Sequence, residues 1–194
     1  MEQEIVISTS PTRVVEQKQL NSLPIIFNFD DKSKILTKEL PEFSEKQITT
    51  NNVQTLIKRM KKTMIENNGI GLSANQCGYS VRMFIMGTQD NQIVCFNPRI
   101  IEKYGDKIKK REGCLSYPGM YLYIPRYEKI KVEYLDELGQ TKNGIFEGIT
   151  AQVFQHELDH MNGIVYTEHI GPLAYKMARD KQVKLLKKIK KLHS

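Results

Sequence analysis

The segment QHELDH, Gln155–His160, constrains this chain more than any other stretch, because it asks for a helix and a metal ion together. His156 and His160 stand four residues apart. Side chains at i and i+4 leave one face of an α-helix, so both imidazoles can reach a single ion. Glu157 sits beside them, within reach of a water on that ion without being a ligand. Ile149 and Val153 continue the same stripe, and the spacing predicts a helix from Ile149 to about Met161, closed by Asn162-Gly163. Two unpaired imidazoles on an apolar stripe would be costly to desolvate, and ligation removes that cost.

Two histidines leave a third protein ligand to be found. An HExxHxxGxxH pattern fits Gly163 but puts Tyr166 where the last histidine would fall. Beyond His160 the only glutamate is Glu168, eight residues on and close for a fold-back, and His169 is taken as the remaining downstream candidate. Upstream, Cys114 lies in REGCLSYPG between a glycine and a turn, and a thiolate is a strong ligand for a borderline divalent metal. A lone cysteine is equally a small buried hydrophobe, which is the reading that suits Cys77 and Cys95. The residues by themselves leave His169 and Cys114 both open.

The surrounding pattern describes an ordinary domain. Val53, Leu56, Ile57, Met60 and Met64 fall at helical spacing from Asn51 onward, and ENNG closes that helix with Gly69 as its cap. GIGLSANQCG reads as a glycine-containing turn. Strands are expected at VRMFIMG, QIVCFNP, MYLYIPR, KIKVEYL and GIFEG, and Lys129–Leu135 alternates polar and apolar residues as a half-buried strand should. A last helix starts near Leu173 with an apolar seam of Leu185, Ile189 and Leu192. The expected fold class is α+β, with short, mostly antiparallel strands around a central metal-binding HExxH helix, plus a C-terminal helix. Its expected organisation is an N-terminal extension (1–30), a catalytic domain (31–170) and a basic C-terminal helix (171–194).

Several classes fall away. No apolar h-region opens the chain and no run approaches the ~20 apolar residues that span a bilayer, so an intracellular protein without a membrane partner is expected. Three cysteines with no CxxC pair argue against a disulfide framework. The formal net charge of +7 belongs to the tail, where Pro172–Ser194 holds eight Lys or Arg against Asp180 alone.

Three segments taken together, GIGLSANQ (Gly69–Gln76), EGCLS (Glu112–Ser116) and QHELDH, resemble in kind and order the motifs of peptide deformylases, over about residues 31–168. The resemblance implies a metal-dependent hydrolase that removes the formyl group from the N-terminal formylmethionine of newly made polypeptides and releases formate. It implies Cys114, His156 and His160 as ligands of one divalent ion, Fe2+ by family habit, with Zn2+, Ni2+ or Co2+ able to take the same place. It further implies Glu157 as general base and then proton donor, and an oxyanion held by the metal, the Leu115 backbone N–H and the Gln76 amide. Gly69, Ile70 and Gly71 would meet the substrate backbone, Ile70, Ile149 and Val153 would wall the methionine pocket, and Glu112 with Arg126 would form a supporting ion pair. Ser73 and Asn75 depart from the commoner apolar residues of the first motif and add polarity near the site.

The implied partner is the nascent formylmethionyl chain, and the Lys-rich C-terminal helix suits docking to ribosomal RNA; the implied place is the cytoplasm, or an organellar matrix, stroma or host cytoplasm according to origin. No candidate catalytic residue lies beyond His160, so the tail is expected to be dispensable for a short free peptide. Two other classes compete: a general metallopeptidase built on His156, Glu157 and His160, which would tolerate loss of Cys114, and a non-enzymatic RNA- or ribosome-binding protein on the same scaffold.

Overall fold

The structure, a computed structural model, describes residues 20–192. Residues 1–19, which hold most of the expected extension and the segment read for a leader, lie outside the described residues. Five antiparallel strands form one sheet in chain order: β1 (Gly71–Ser73), β2 (Met83–Gly87), β3 (Gln92–Gly113), β4 (Tyr121–Leu135) and β5 (Thr141–Glu147). Four helices accompany it: α1 (Glu45–Ile48), α2 (Asn51–Glu66), α3 (Gly148–Met161) and α4 (Pro172–Leu192).

Strand β2 explains how the layers stack. It is buried on both faces, which is why Met83–Met86 form an unbroken apolar run and not an alternation. Met83 and Ile85 pack with Met60 and Met64 of α2, while Phe84 and Met86 pack with Val153 and Phe154 of α3. The two helices thus sandwich the β1–β2 end of the sheet. Phe84 and Phe154 meet edge to face with ring centroids 5.2 Å apart. No helix among the described residues is long and apolar enough to cross a membrane.

Two of the strands, β3 and β4, are not short. MYLYIPR and KIKVEYL are halves of the single 15-residue β4, and QIVCFNP is only the start of the 22-residue β3. Pro125, which lies inside β4, pairs with Lys109 of β3, whereas β5 pairs β4 only from Lys129 onward. One side of Pro125 therefore needs no ladder hydrogen bond, and the missing N–H costs nothing there. The charged second half of β3 is held by pairing and not by burial, with register shifts at Phe96/Arg99, Ile100/Glu102 and Tyr104/Lys107 that break any alternation. GIGLSANQCG is likewise more than a turn: it supplies β1 and then a 3-10 turn over Ala74–Cys77.

The cap of α2 sits one residue earlier than expected. Asn68 takes the left-handed φ of 54°, and the N–H groups of Asn68 and Gly69 return to the carbonyls of Ile65 (2.9 Å) and Met64 (2.8 Å). This is the Schellman arrangement, with Asn in the place glycine usually takes. Within the expected extension, residues 20–30 pack as part of the domain. Leu23 and Ile26 are buried, and the N–H groups of Ile26 and Asn28 donate to the carbonyls of Gln76 and Ser116, both at 2.8 Å.

Candidate metal centre

Helix α3 delivers His156 and His160 to the sheet side of the molecule, both buried. Its end is fixed by Gly163 at φ +70°, where an added Cβ would lie 2.6 Å from Glu39 N. Cys114 arrives from elsewhere in the chain, directly after β3, at the start of a turn in which Tyr117 N–H donates to Cys114 O at 2.9 Å. The ligand atoms of Cys114, His156 and His160 lie within 4.8 Å of one another, with Cys114 Sγ 3.4 Å from His160 Nε2. The two downstream alternatives are placed otherwise. The Glu168 carboxylate accepts from Val165 N–H at 3.0 Å, and His169 Nε2 lies 2.7 Å from Asp159 Oδ2.

The shell around these donors is built to orient them. His156 Nδ1 is 3.0 Å from Glu112 Oε2, which turns its other ring nitrogen toward the cluster. Glu112, 5% exposed, takes a two-pronged contact from Arg126, 4% exposed: Nε to Oε1 at 2.9 Å and Nη2 to Oε2 at 3.1 Å. Arg126 Nη1 also donates to Asp159 at 2.6 Å. The ion pair drawn between Glu112 and Arg126 is therefore present, and it extends through Asp159 to His169. Asp159 lies inside HELDH itself, but its role could not be read without knowing that α3 turns it toward Arg126.

Gln76 is held on its other flank. Its Oε1 accepts from Ser73 N–H at 2.9 Å, and its Nε2 donates toward Cys114 Sγ (3.3 Å) and Ser116 Oγ (3.1 Å). Asn75 Nδ2 donates to the His160 carbonyl at 3.0 Å, and Ser73 Oγ lies 2.8 Å from Asn75 Oδ1. The polarity that Ser73 and Asn75 add is thus buried and hydrogen-bonded, tying the first motif to the third. Ser116 is a contact that sequence reasoning missed, since nothing local marks its hydroxyl as the partner of a glutamine 40 residues away.

Glu157 is buried against β1. A Cβ on Gly71 would lie 2.3 Å from Glu157 Oε1, so only glycine allows this approach. Burial pushes the Glu157 carboxyl up to about 7, although the neighbouring His156 opposes the shift. Burial lowers His160 to about 3, and a neutral imidazole is the form that ligates a metal. Burial works against protonation of His156 too, but its contacts with Cys114 and Glu112 outweigh that and raise it. Glu157 Oε2 and His160 Nδ1 are buried side-chain atoms without a hydrogen-bond partner among the described residues. One thiolate and two imidazoles form a donor set suited to a borderline divalent cation, and these residues fit one.

A cleft of about 590 Å3 opens on this cluster. Cys114, His156, Glu157, Gln76 and Leu115 line it, as do Gly69, Ile70, Gly71, Ile149 and Val153. Ile70 and Ile149 are 49% and 60% exposed, apolar side chains left uncovered at its mouth. Also lining it, and not anticipated, are Tyr117–Tyr121 and Arg111, whose guanidinium sits 4.2 Å from the Tyr121 ring centroid. That pair is a product of β3–β4 register, which the sequence pattern does not disclose.

Comparison with known proteins gives a consistent match. The model of the family described as polypeptide deformylase matches residues 25–176. A peptide deformylase of Aquifex aeolicus is 41% identical over 141 residues, 70% of this chain and 83% of that protein. The crystal structure of a peptide deformylase from Legionella pneumophila superposes with a TM-score of 0.77 at 35% identity, covering 86% of this chain and 96% of that one. A Met-Ala-Ser-bound class I type b peptide deformylase from Acinetobacter baumannii superposes at 0.72 and 33% identity, covering 78% of this chain and 99% of that one.

Proposed function

Because the chain belongs to the peptide deformylase family, we propose that it uses Cys114, His156 and His160 to hold one divalent ion and Glu157 to move the protons of formyl hydrolysis. The reaction is removal of the N-terminal formyl group from nascent peptides, with release of formate. The observation that carries the reading is the meeting of a thiol and two imidazoles from separate segments, beside a buried carboxyl at the floor of a peptide-sized cleft.

The ion we propose is Fe2+, with Zn2+, Ni2+ or Co2+ as substitutes that the same donors accept. When bound, such an ion supplies Lewis-acid polarisation of the formyl oxygen and lowers the pKa of water. Glu157, held near neutrality by burial, takes a proton from the attacking water and returns it to the leaving amine. Gln76 Nε2, fixed through its own oxygen by Ser73, is the side-chain donor offered to the developing oxyanion, and the Leu115 N–H is its backbone counterpart. Gly69 to Gly71 run along the sheet edge, where a peptide backbone can approach closely, and Ile70, Ile149 and Val153 receive the methionine side chain. Glu112 and Arg126 support His156 and take no part in the chemistry.

The organisation we propose is a catalytic domain over residues 31–170, completed by the packed residues 20–30, and a basic helix α4 that meets ribosomal RNA, in the cytoplasm where nascent chains emerge. The test is formate release from formyl-Met-Ala-Ser by protein prepared anaerobically with Fe2+. Glu157→Gln should retain metal and lose roughly 10²- to 10⁴-fold in turnover, the usual worth of a positioned general base. A variant that hydrolysed at the parent rate, or that lost its metal, would refute the role given to Glu157.

A further inference from the structure

Helix α4 carries lysines to solvent along most of its length, yet Gln182 near its middle is 0% exposed. Its Nε2 donates to the Pro118 carbonyl at 2.9 Å and its Oε1 accepts from Arg179 Nη1 at 2.7 Å, so both ends of the amide are satisfied. One helical turn on, Leu185 lies against Gly119, where an added Cβ would be 2.7 Å from Leu185 Cδ2. Gly119 has φ +74°, so its backbone also favours glycine. Pro118 and Gly119 belong to the turn that begins at Cys114 and lines the cleft as far as Tyr121. From the other side Tyr166 braces the same turn, its hydroxyl donating to Met120 O at 2.8 Å.

A buried amide is costly unless paired, and a leucine at this position would pack a helix without that cost. What the amide supplies, and an aliphatic side chain cannot, is a fixed partner for the Pro118 carbonyl. We propose that Gln182 is a positioning residue for peptide binding: through Pro118, and with Leu185 against Gly119, α4 sets the Tyr117–Tyr121 wall of the cleft. Gln182 touches neither the metal ligands nor the peptide path and acts only through the turn. Displacements of about 1 Å in a binding wall are enough to spoil productive orientation. The tail is therefore not dispensable for a short peptide, since a chain ending near Lys181 lacks both Gln182 and Leu185.

The proposal rests on the deformylase reading for its kinetic readout, so a second readout is independent of activity. In the full-length, metal-loaded protein, Gln182→Met keeps the side-chain length and removes both hydrogen bonds. Its KM for formyl-Met-Ala-Ser should rise roughly 2- to 12-fold, the range one net hydrogen bond carries. The kcat should stay within about twofold and metal content should not change. Amide hydrogen exchange should quicken at Tyr117 and Met120, whose N–H groups bond to Cys114 and Tyr117. It should not quicken along α4. Gly119→Ala should raise KM as well, and adding Leu185→Ala should recover part of that loss, because it removes the clash. A KM and exchange pattern unchanged from the parent overturns the proposal. So does faster exchange spread along α4 with KM unchanged, the mark of a merely structural role. So does a Gly119→Ala defect that Leu185→Ala leaves untouched, and this arm decides the matter if Gln182→Met fails to fold. A parent protein that released no formate would sink the deformylase reading, while the exchange data would still decide this one.

Discussion

Arg126→Met isolates the polar network that holds His156 in place. Arg126 is 4% exposed and makes three short contacts: two to Glu112, at 2.9 and 3.1 Å, and one to Asp159 at 2.6 Å. Methionine fills much of the volume but strands two carboxylates. Glu112 keeps only His156 Nδ1, and Asp159 keeps only His169. Removing one partner of a buried ion pair typically costs ~3–5 kcal/mol, because the remaining charge stays desolvated. The lower half of that range is expected, since Asp159 is 16% exposed and retains a partner. At this chain length that corresponds to a fall in Tm of roughly 6–16 °C. Metal affinity should also drop, by about 10- to 100-fold, because the carboxylate behind His156 loses its own anchor.

The pH dependence gives the sign. Burial would raise the Glu112 carboxyl, but hydrogen bonds from His156 and Arg126 outweigh it and hold it below its ordinary 4.5. Burial would raise Asp159 too, but the His169 bond and the Arg126 charge hold it below its ordinary 3.8. Carboxyls depressed in the folded state contribute stability that is complete above their unfolded values and disappears as pH falls through the folded ones. The gap between parent and variant should therefore be widest near pH 7 and should narrow below about pH 4. Thermal unfolding followed by circular dichroism at the two pH values measures this. Adding Glu112→Gln to Arg126→Met should restore part of the lost stability by removing one stranded charge. A loss under about 1 kcal/mol at neutral pH, a gap that widens on acidification, or strict additivity in the double variant would each refute the reasoning.

Two further expectations concern the ligands and the tail. Cys114→Ser should bind metal weakly or not at all at neutral pH, because a hydroxyl is a poor ligand beside a thiolate; full metal content with parent activity, read by elemental analysis and formate release, would return the search to another third ligand. Reversing Lys184, Lys187 and Lys188 to glutamate leaves Gln182 and Leu185 intact and should abolish salt-sensitive co-sedimentation with ribosomes while sparing KM for a short peptide. Co-sedimentation equal to the parent's at low salt would remove the docking role.

What could be read from the sequence was whatever chemistry is local. The pair at His156 and His160 follows from helical periodicity, as does α2, and VRMFIMG reads as a strand. The second half of β3 was invisible because its residues are held by ladder hydrogen bonds to β4 and exposed to solvent, so no hydrophobic period marks them. The continuity of β4 through Pro125 was hidden as well. A residue that forbids a central ladder bond is harmless where only one neighbour strand exists, and the sequence does not say where β5 begins to pair. In the site, the three motifs were legible separately, but their joints were not. The Gln76 amide against Cys114 and Ser116, and Arg126 between Glu112 and Asp159, span 33 to 40 residues where Gln76 meets Ser116 and Arg126 meets Asp159. Contacts of that range depend on register and on helix rotation, which one sequence does not encode in any local pattern.

The tail shows how an amphipathic pattern can point to the wrong residue. Counting apolar positions along α4 selects Leu185, Ile189 and Leu192 as the packed seam and assigns every glutamine to solvent. Yet Leu192 is exposed and Gln182 is the one residue of this helix fully withdrawn from water. Periodicity counts how apolar a side chain is, whereas burial of an amide depends on whether donors and acceptors await it, here Pro118 O and Arg179 Nη1. A helix held to its domain by a satisfied polar contact at one point, and by Leu185 beside it, can spend its remaining faces on charge. On the two proposals made above, that division lets one element serve two ends: outward lysines for the proposed docking on a phosphate surface, and a single amide turned inward to the Pro118 carbonyl.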